Sequence, residues 1–208
     1  MQQPSSNPFV VIREATLNWW YDWVNQILFN ILWALCWVTV ILGPPATLAL
    51  VAASTELVEG KTVSPRELYD FGKQYFVPSW IWMAVNLAVG FGFVSNYLFY
   101  QQISQPWAPW AEAIIIVLAV YWSIVQFYTL PFLIMQDEPS LKLAWRNGLL
   151  TVSKTPFFTL PIILYAVIIM VISVASGFLI FLLGGVPLIT ILASQAARRR
   201  VQIETYTP

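Results

Sequence analysis

The sequence predicts an all-α protein, a polytopic transmembrane helical bundle, and three observations carry that prediction. Charge is scarce: only 10% of the 208 residues are charged, against 59% hydrophobic, and the mean hydropathy is +0.70. A soluble domain carries about a quarter charged residues. The charges are also segregated, leaving four charge-free runs at 23–55, 74–111, 113–136 and 155–197. Each is longer than the roughly 20 apolar residues that cross ~30 Å of hydrocarbon. Finally, the first and last of these runs are broken by glycine and proline, at Gly43, Pro44 and Pro45 and again at Gly184, Gly185 and Pro187.

Residues 1–23 form an N-terminal interfacial segment. The stretch lacks a basic leader running directly into an apolar core, so the first span is expected to serve as an uncleaved anchor. That span covers 24–42. A second, short segment at 46–58 returns after the Gly43–Pro44–Pro45 break, because proline is tolerated in the first turn of a helix and glycine ends one readily. The third and fourth segments, 78–100 and 111–135, flank the uncharged loop 101–110. The fifth and sixth, 157–183 and 186–197, come from one run. As a single helix, 155–197 would measure about 64 Å, about twice the hydrocarbon thickness, so it must turn near Gly184, Gly185 and Pro187. Four spans with two re-entrant segments is the rival map. The short segments are expected to pack inside the bundle, since "ATLALVAAS" is rich in small residues.

Basic residues set the orientation. Lys61, Arg66 and Lys73 fall in one polar stretch, Lys142, Arg146 and Lys154 in another, and Arg198, Arg199 and Arg200 begin the basic C-terminal tail, 198–208. All of these are expected in the cytoplasm, with both termini. The connectors 59–77 and 136–156 read as amphipathic helices: Ser64, Pro65 and Glu67 form a capping-box pattern. Anchoring at the membrane surface and docking of a partner's cytoplasmic domain are both open to them.

The search for chemistry is short. The chain has no histidine and one cysteine, Cys36, and its acidic residues lie near interfaces or in loops. No metal cluster, nucleophile elbow or phosphate loop appears. An enzyme is not expected, nor a cofactor, nor nucleic acid as a partner, since the net charge is zero. Two polar stripes follow helical spacing within spans: Gln26, Asn30, Trp33 and Trp37 in the first, and Trp122, Gln126 and Thr129 in the fourth. Facing each other, they would make a pocket of amides and indoles for a neutral polyol. The plainer reading is hydrogen bonding between helices. Ala84, Ala88 and Gly92 form a small-residue ridge on the third segment, for close packing within the bundle or against another protein. Trp19, Trp20, Trp23, Trp80, Trp82, Trp107 and Trp110 flank spans and fit interfacial belts.

The stretch "NILWALCWVTVILGPPATLALVAASTELVEGKTVSPRELYDFGKQYF", with its asparagine–apolar–tryptophan start and Gly-Pro turn before a threonine, resembles the YesL-like family of small bacterial membrane proteins. It carries one proline more than the family's pattern. "YTLPFLIMQDEPSLKLAWRNGLL" is similar to the family's Leu-Pro followed by a basic amphipathic segment. The resemblance implies a bacterial cytoplasmic membrane and an association with carbohydrate uptake, including sugar ABC transporters; the family's biochemical function is unknown. The expected function is therefore a non-enzymatic accessory or structural subunit that binds another membrane protein. A facilitator or channel for a small neutral solute is the alternative.

Overall fold

The computed structural model describes residues 6–176 and 184–206, so the last part of the expected 157–183 segment lies outside the described residues. Among them are nine helices and no strand: α1 (Pro8–Tyr21), α2 (Trp23–Val38), α3 (Gly43–Val58), α4 (Pro65–Gln74), α5 (Phe76–Tyr100), α6 (Ala108–Ile134), α7 (Leu141–Lys154), α8 (Pro156–Ala175) and α9 (Val186–Tyr206). Three of them, α5, α6 and α8, are long and apolar enough to cross a membrane, with 25, 27 and 20 residues. The apolar α2 is shorter, at 16 residues.

Local chemistry sets several boundaries. Asn7 accepts a hydrogen bond from the Phe9 amide, with Pro8 in the first turn of α1. At α4 the Ser64 hydroxyl accepts from the Glu67 amide while the Glu67 carboxylate accepts from the Ser64 amide at 2.7 Å. Both devices satisfy amides that the first turn leaves without a helical partner. The first break differs in detail from the expectation. Gly43, Pro44 and Pro45 open α3 rather than forming the turn, which falls on Thr39–Leu42. Pro44 and Pro45 fit there because first-turn amides have no intrahelical acceptor to lose. Gly43 is required by a close approach: a Cβ on it would stand 2.7 Å from the Trp37 ring. The turn itself places Val40 at φ 62°, a left-handed conformation that costs a β-branched residue energy.

The core gathers around α3 and α9, the two helices that follow the breaks. None of the 16 residues of α3 is exposed. The two run parallel, with contacts that advance together along both. The hydroxyls of Ser54 and Thr190 lie 2.7 Å apart and those of Thr55 and Ser194 3.1 Å apart, and Arg198 donates to the Val58 carbonyl at 2.6 Å. Helix α1 lies antiparallel along α9: Arg199 pairs with Glu14 at 2.6 Å, and the Trp19 indole donates to the Gly184 carbonyl. Gly184 has φ 106° and leads into α9 with Gly185 and Pro187, all three buried. The segment 198–208, expected as a tail, begins as a continuation of α9 as far as Tyr206.

Helices α5 and α6 form an antiparallel hairpin that leaves this core. Ser79 is the buried residue of α5, whereas Phe91 and Leu87 are 75% and 63% exposed. Helix α6 divides in two. Its second half contributes Val125, Tyr128, Leu130, Phe132 and Leu133 to the core, while Ile114, Val117 and Val120 in its first half are exposed. Exposed apolar faces of this extent match a lipid environment. Helix α7 folds back along the second half of α6. There Gly148 lies so close that a Cβ would stand 3.0 Å from the Val125 carbonyl oxygen, and Tyr121 and Ser153 share a hydrogen bond.

Candidate functional site

The two polar stripes go to different neighbours. On α2, the Gln26 side chain donates to Asp22 at 2.7 Å, one turn earlier in the chain. Asn30 is fully buried. Trp33 and Trp37 stack edge to face, and both indoles donate to the Thr47 hydroxyl on α3, at 3.0 and 3.2 Å. Thr47 in turn donates to the Gly43 carbonyl at 2.9 Å. Three of the expected residues are thus drawn into local work: Gln26 holds the α1–α2 junction, and the two tryptophans clamp the turn at 39–42. The helix-break glycine and the tryptophan stripe belong to one unit, since Gly43 makes room for the Trp37 ring that reaches Thr47.

On α6, Trp122 and Gln126 meet α5 and α7 instead of α2. The Gln126 carbonyl oxygen accepts from the Trp82 indole at 2.9 Å, from the Trp145 indole at 3.2 Å and from the Asn86 amide at 3.4 Å. Trp122 donates to the Asn86 carbonyl oxygen at 3.0 Å and stacks at a tilt on Trp145. Thr129 is buried and donates to the Val125 carbonyl beneath Gly148. The geometry is that of a clamp: three indole N–H groups converge on two side-chain carbonyls and tie α5, α6 and α7 together. Indole N–H is a donor without an acceptor, so an amide oxygen is the complementary group. The Gln126 nitrogen is buried without a hydrogen-bond partner.

Sequence reading missed Asn86, Trp145 and Thr47. Asn86 was within reach, since it stands one turn after Trp82 on an apolar helix, where an amide needs a partner. Trp82 and Trp19, expected in interfacial belts, make specific hydrogen bonds inside the fold. Trp20, Trp23, Trp107 and Trp110 are exposed, as a belt requires. Among the described residues nothing covers the ridge of Ala84, Ala88 and Gly92: Ala84 and Ala88 are exposed, and a Cβ at Gly92 would find nothing within 4 Å.

An apolar groove lies between α2, α3 and α4. It has a volume of 510 Å³ and is lined on its three sides by residues such as Phe29, Ala46 and Leu68. Outside the apolar spans, the Glu67 carboxyl beside it is held below the usual glutamate range, first by the Ser64 backbone amide and then by its hydroxyl. Lys61 is pushed up by its bonds to Glu56 and Glu59. Among the described residues no group of three or more His, Cys, Asp and Glu side chains is placed to hold a metal ion. No family model, curated protein or solved structure matches the chain. The likeness to YesL-like proteins therefore rests on the residues quoted above.

Proposed function

We propose that the chain is a non-enzymatic integral membrane subunit that docks another membrane protein along α5. In this reading six segments lie in a bacterial cytoplasmic membrane with both termini inside. Helices α2, α5, α6 and α8 meet lipid, and α3 and α9 run as an enclosed pair. The observation that carries the proposal is the state of α5. It presents an outward ridge of Ala84, Ala88 and Gly92 that no other helix covers among the described residues. In a bilayer, small residues in such a row allow backbones to approach closely, which is how helices associate where hydrophobicity offers no preference. A sugar ABC transporter is the partner that the family resemblance favours.

The facilitator reading has less support. A polyol needs acceptors and donors that the protein leaves open, and the amide oxygens of Asn86 and Gln126 are already engaged by indoles. The test is purification of the tagged protein from its native membrane in mild detergent. A membrane protein should co-purify at fixed stoichiometry, and replacing Ala84, Ala88 and Gly92 by leucine should release it while the protein stays folded. Purification of the wild type alone, as a stable monomer, would overturn the proposal.

A further inference from the structure

We infer that the groove between α2, α3 and α4 holds one acyl chain of an anionic phospholipid drawn from the surrounding bilayer, with the lipid headgroup at Lys73. Its 510 Å³ falls within the range of sites that enclose small ligands. From Pro45 to Leu50 it follows α3 for about 8 Å by helix rise. Phe29, Cys36, Ala46 and Leu50 make its walls, and Leu68 closes it from α4. Lys73 is the charged group of the lining, and it is exposed. Its ammonium lies 4.4 Å from the centre of the Tyr69 ring, so the stem is laid along α4 with the charge at the mouth.

Charge complementarity selects the occupant. Among the described residues no carboxylate forms an ion pair with Lys73. Of the nearby acids, Glu67 is engaged by Ser64 and Glu56 and Glu59 by Lys61, while Asp70, one turn before Lys73 on α4, forms no ion pair with it. An apolar slot with one unpaired cation at its mouth is the complement of an anionic amphiphile. A neutral polar solute would need partners along the walls, and the Trp33 indole there is spent on Thr47. An extended peptide would bring backbone N–H and C=O groups against hydrocarbon with nothing to satisfy them. The basic stretch that contains Lys73 also belongs on the cytoplasmic side, where the leaflet carries anionic lipid.

Cys36 is the sole cysteine and lines the groove, which gives a direct readout. The full-length protein is placed in nanodiscs of phosphatidylcholine alone or of phosphatidylcholine with phosphatidylglycerol, and the rate of Cys36 alkylation by N-ethylmaleimide is measured. Phosphatidylglycerol should slow alkylation about fivefold, the worth of one lysine beside an anionic surface. Lys73→Gln should abolish that difference, whereas Arg66→Gln, on the same helix but outside the lining, should keep it and so account for any general effect of surface charge. Native mass spectrometry of the wild type adds a measurement that needs no variant: phosphatidylglycerol should be retained over phosphatidylcholine. Equal rates in both bilayers, an unchanged difference in Lys73→Gln, or retention of both lipids alike would each overturn the assignment. So would cross-linking of Cys36 to a second polypeptide, which would make the groove a protein interface. This outcome is independent of whether α5 has a partner.

Discussion

Helices α3 and α5 look alike in sequence and live in opposite surroundings. Both are apolar, both are punctuated by small residues, and both lack charge across their central turns. Yet α3 is enclosed along its whole length, while α5 is open except at Ser79 and where it meets α3, α4 and α6. The difference lies in what the small residues do. On α3 the alanines and hydroxyls allow α9 to lie alongside and exchange hydrogen bonds with it. On α5 Ala84, Ala88 and Gly92 leave a ridge that nothing covers among the described residues. Hydropathy reports that a face is apolar, and is silent on whether protein or lipid covers it.

The largest effect that separates the two regions is truncation of a large side chain in each. Leu48 on α3 is fully buried, and Leu48→Ala should cost about 2–5 kcal/mol, since it leaves a cavity the packed bundle cannot close. Phe91 on α5 is 75% exposed, and Phe91→Ala should stay within about 0.5 kcal/mol. Reversible unfolding in mixed micelles measures both. If Phe91→Ala proved as costly as Leu48→Ala, α5 would have to be covered in the isolated protein, and the contrast would fail.

The two helix breaks offer the next test, because they place different residues in the left-handed region. Gly184 takes φ 106° without a side chain, and a Cβ there would stand 3.1 Å from the Trp19 indole nitrogen. Val40 takes φ 62° with a branched side chain. Gly184→Ala should therefore destabilise by about 1–3 kcal/mol, while Val40→Gly should stabilise by about 1 kcal/mol through relief of strain. The same unfolding assay reads both, and equal signs would refute the distinction.

Between α3 and α9 the buried hydroxyl pair is worth less. A double-mutant cycle on Ser54→Ala and Thr190→Ala should give a coupling of about 0.6 kcal/mol, the average for such bonds between membrane helices. Each hydroxyl also has a carbonyl of its own helix within reach, Leu50 for Ser54 and Pro187 for Thr190; with one proton on each, the bond between them competes with one of these, which keeps both singles mild. A coupling near zero would mean that close packing alone aligns the pair.

Much of the fold was legible because its signals are local. Charge-free runs gave the long helices α5, α6 and α8, and Ser64, Pro65 and Glu67 gave the start of α4. The breaks were legible as breaks, though the turn at Thr39–Leu42 was placed a few residues late, since proline marks a helix's first turn as readily as its end. The site was less legible for a different reason. Helical spacing set Gln26, Asn30, Trp33 and Trp37 on one stripe and Trp122, Gln126 and Thr129 on another, but spacing within a helix carries no information on which helix it meets. Trp145 lies on an amphipathic connector, and only its return along α6 brings it to Gln126. The ridge of Ala84, Ala88 and Gly92 was legible as a row of small residues, while its exposure among the described residues needed the structure.

The smallest effect concerns α4, which covers part of α3 and forms one wall of the groove. Its first turn depends on Glu67, whose carboxylate accepts from the Ser64 amide and hydroxyl, each at 2.7 Å. Those bonds favour the charged form, so the folded carboxyl titrates below its ordinary range. A depressed value fixes the direction of the linkage. The contribution to folding is fully present above the ordinary glutamate range and is lost as pH falls through the lower, folded value. Amide hydrogen exchange across residues 65–69, corrected for the intrinsic pH dependence, should therefore show the first turn of α4 opening on acidification. The amides of α3 beneath it should stay protected. Glu67→Gln should remove the acid step and leave that turn equally loose at neutral pH. If exchange in 65–69 kept its pH profile in Glu67→Gln, another carboxyl, such as Asp70 on the same helix, would be the group responsible.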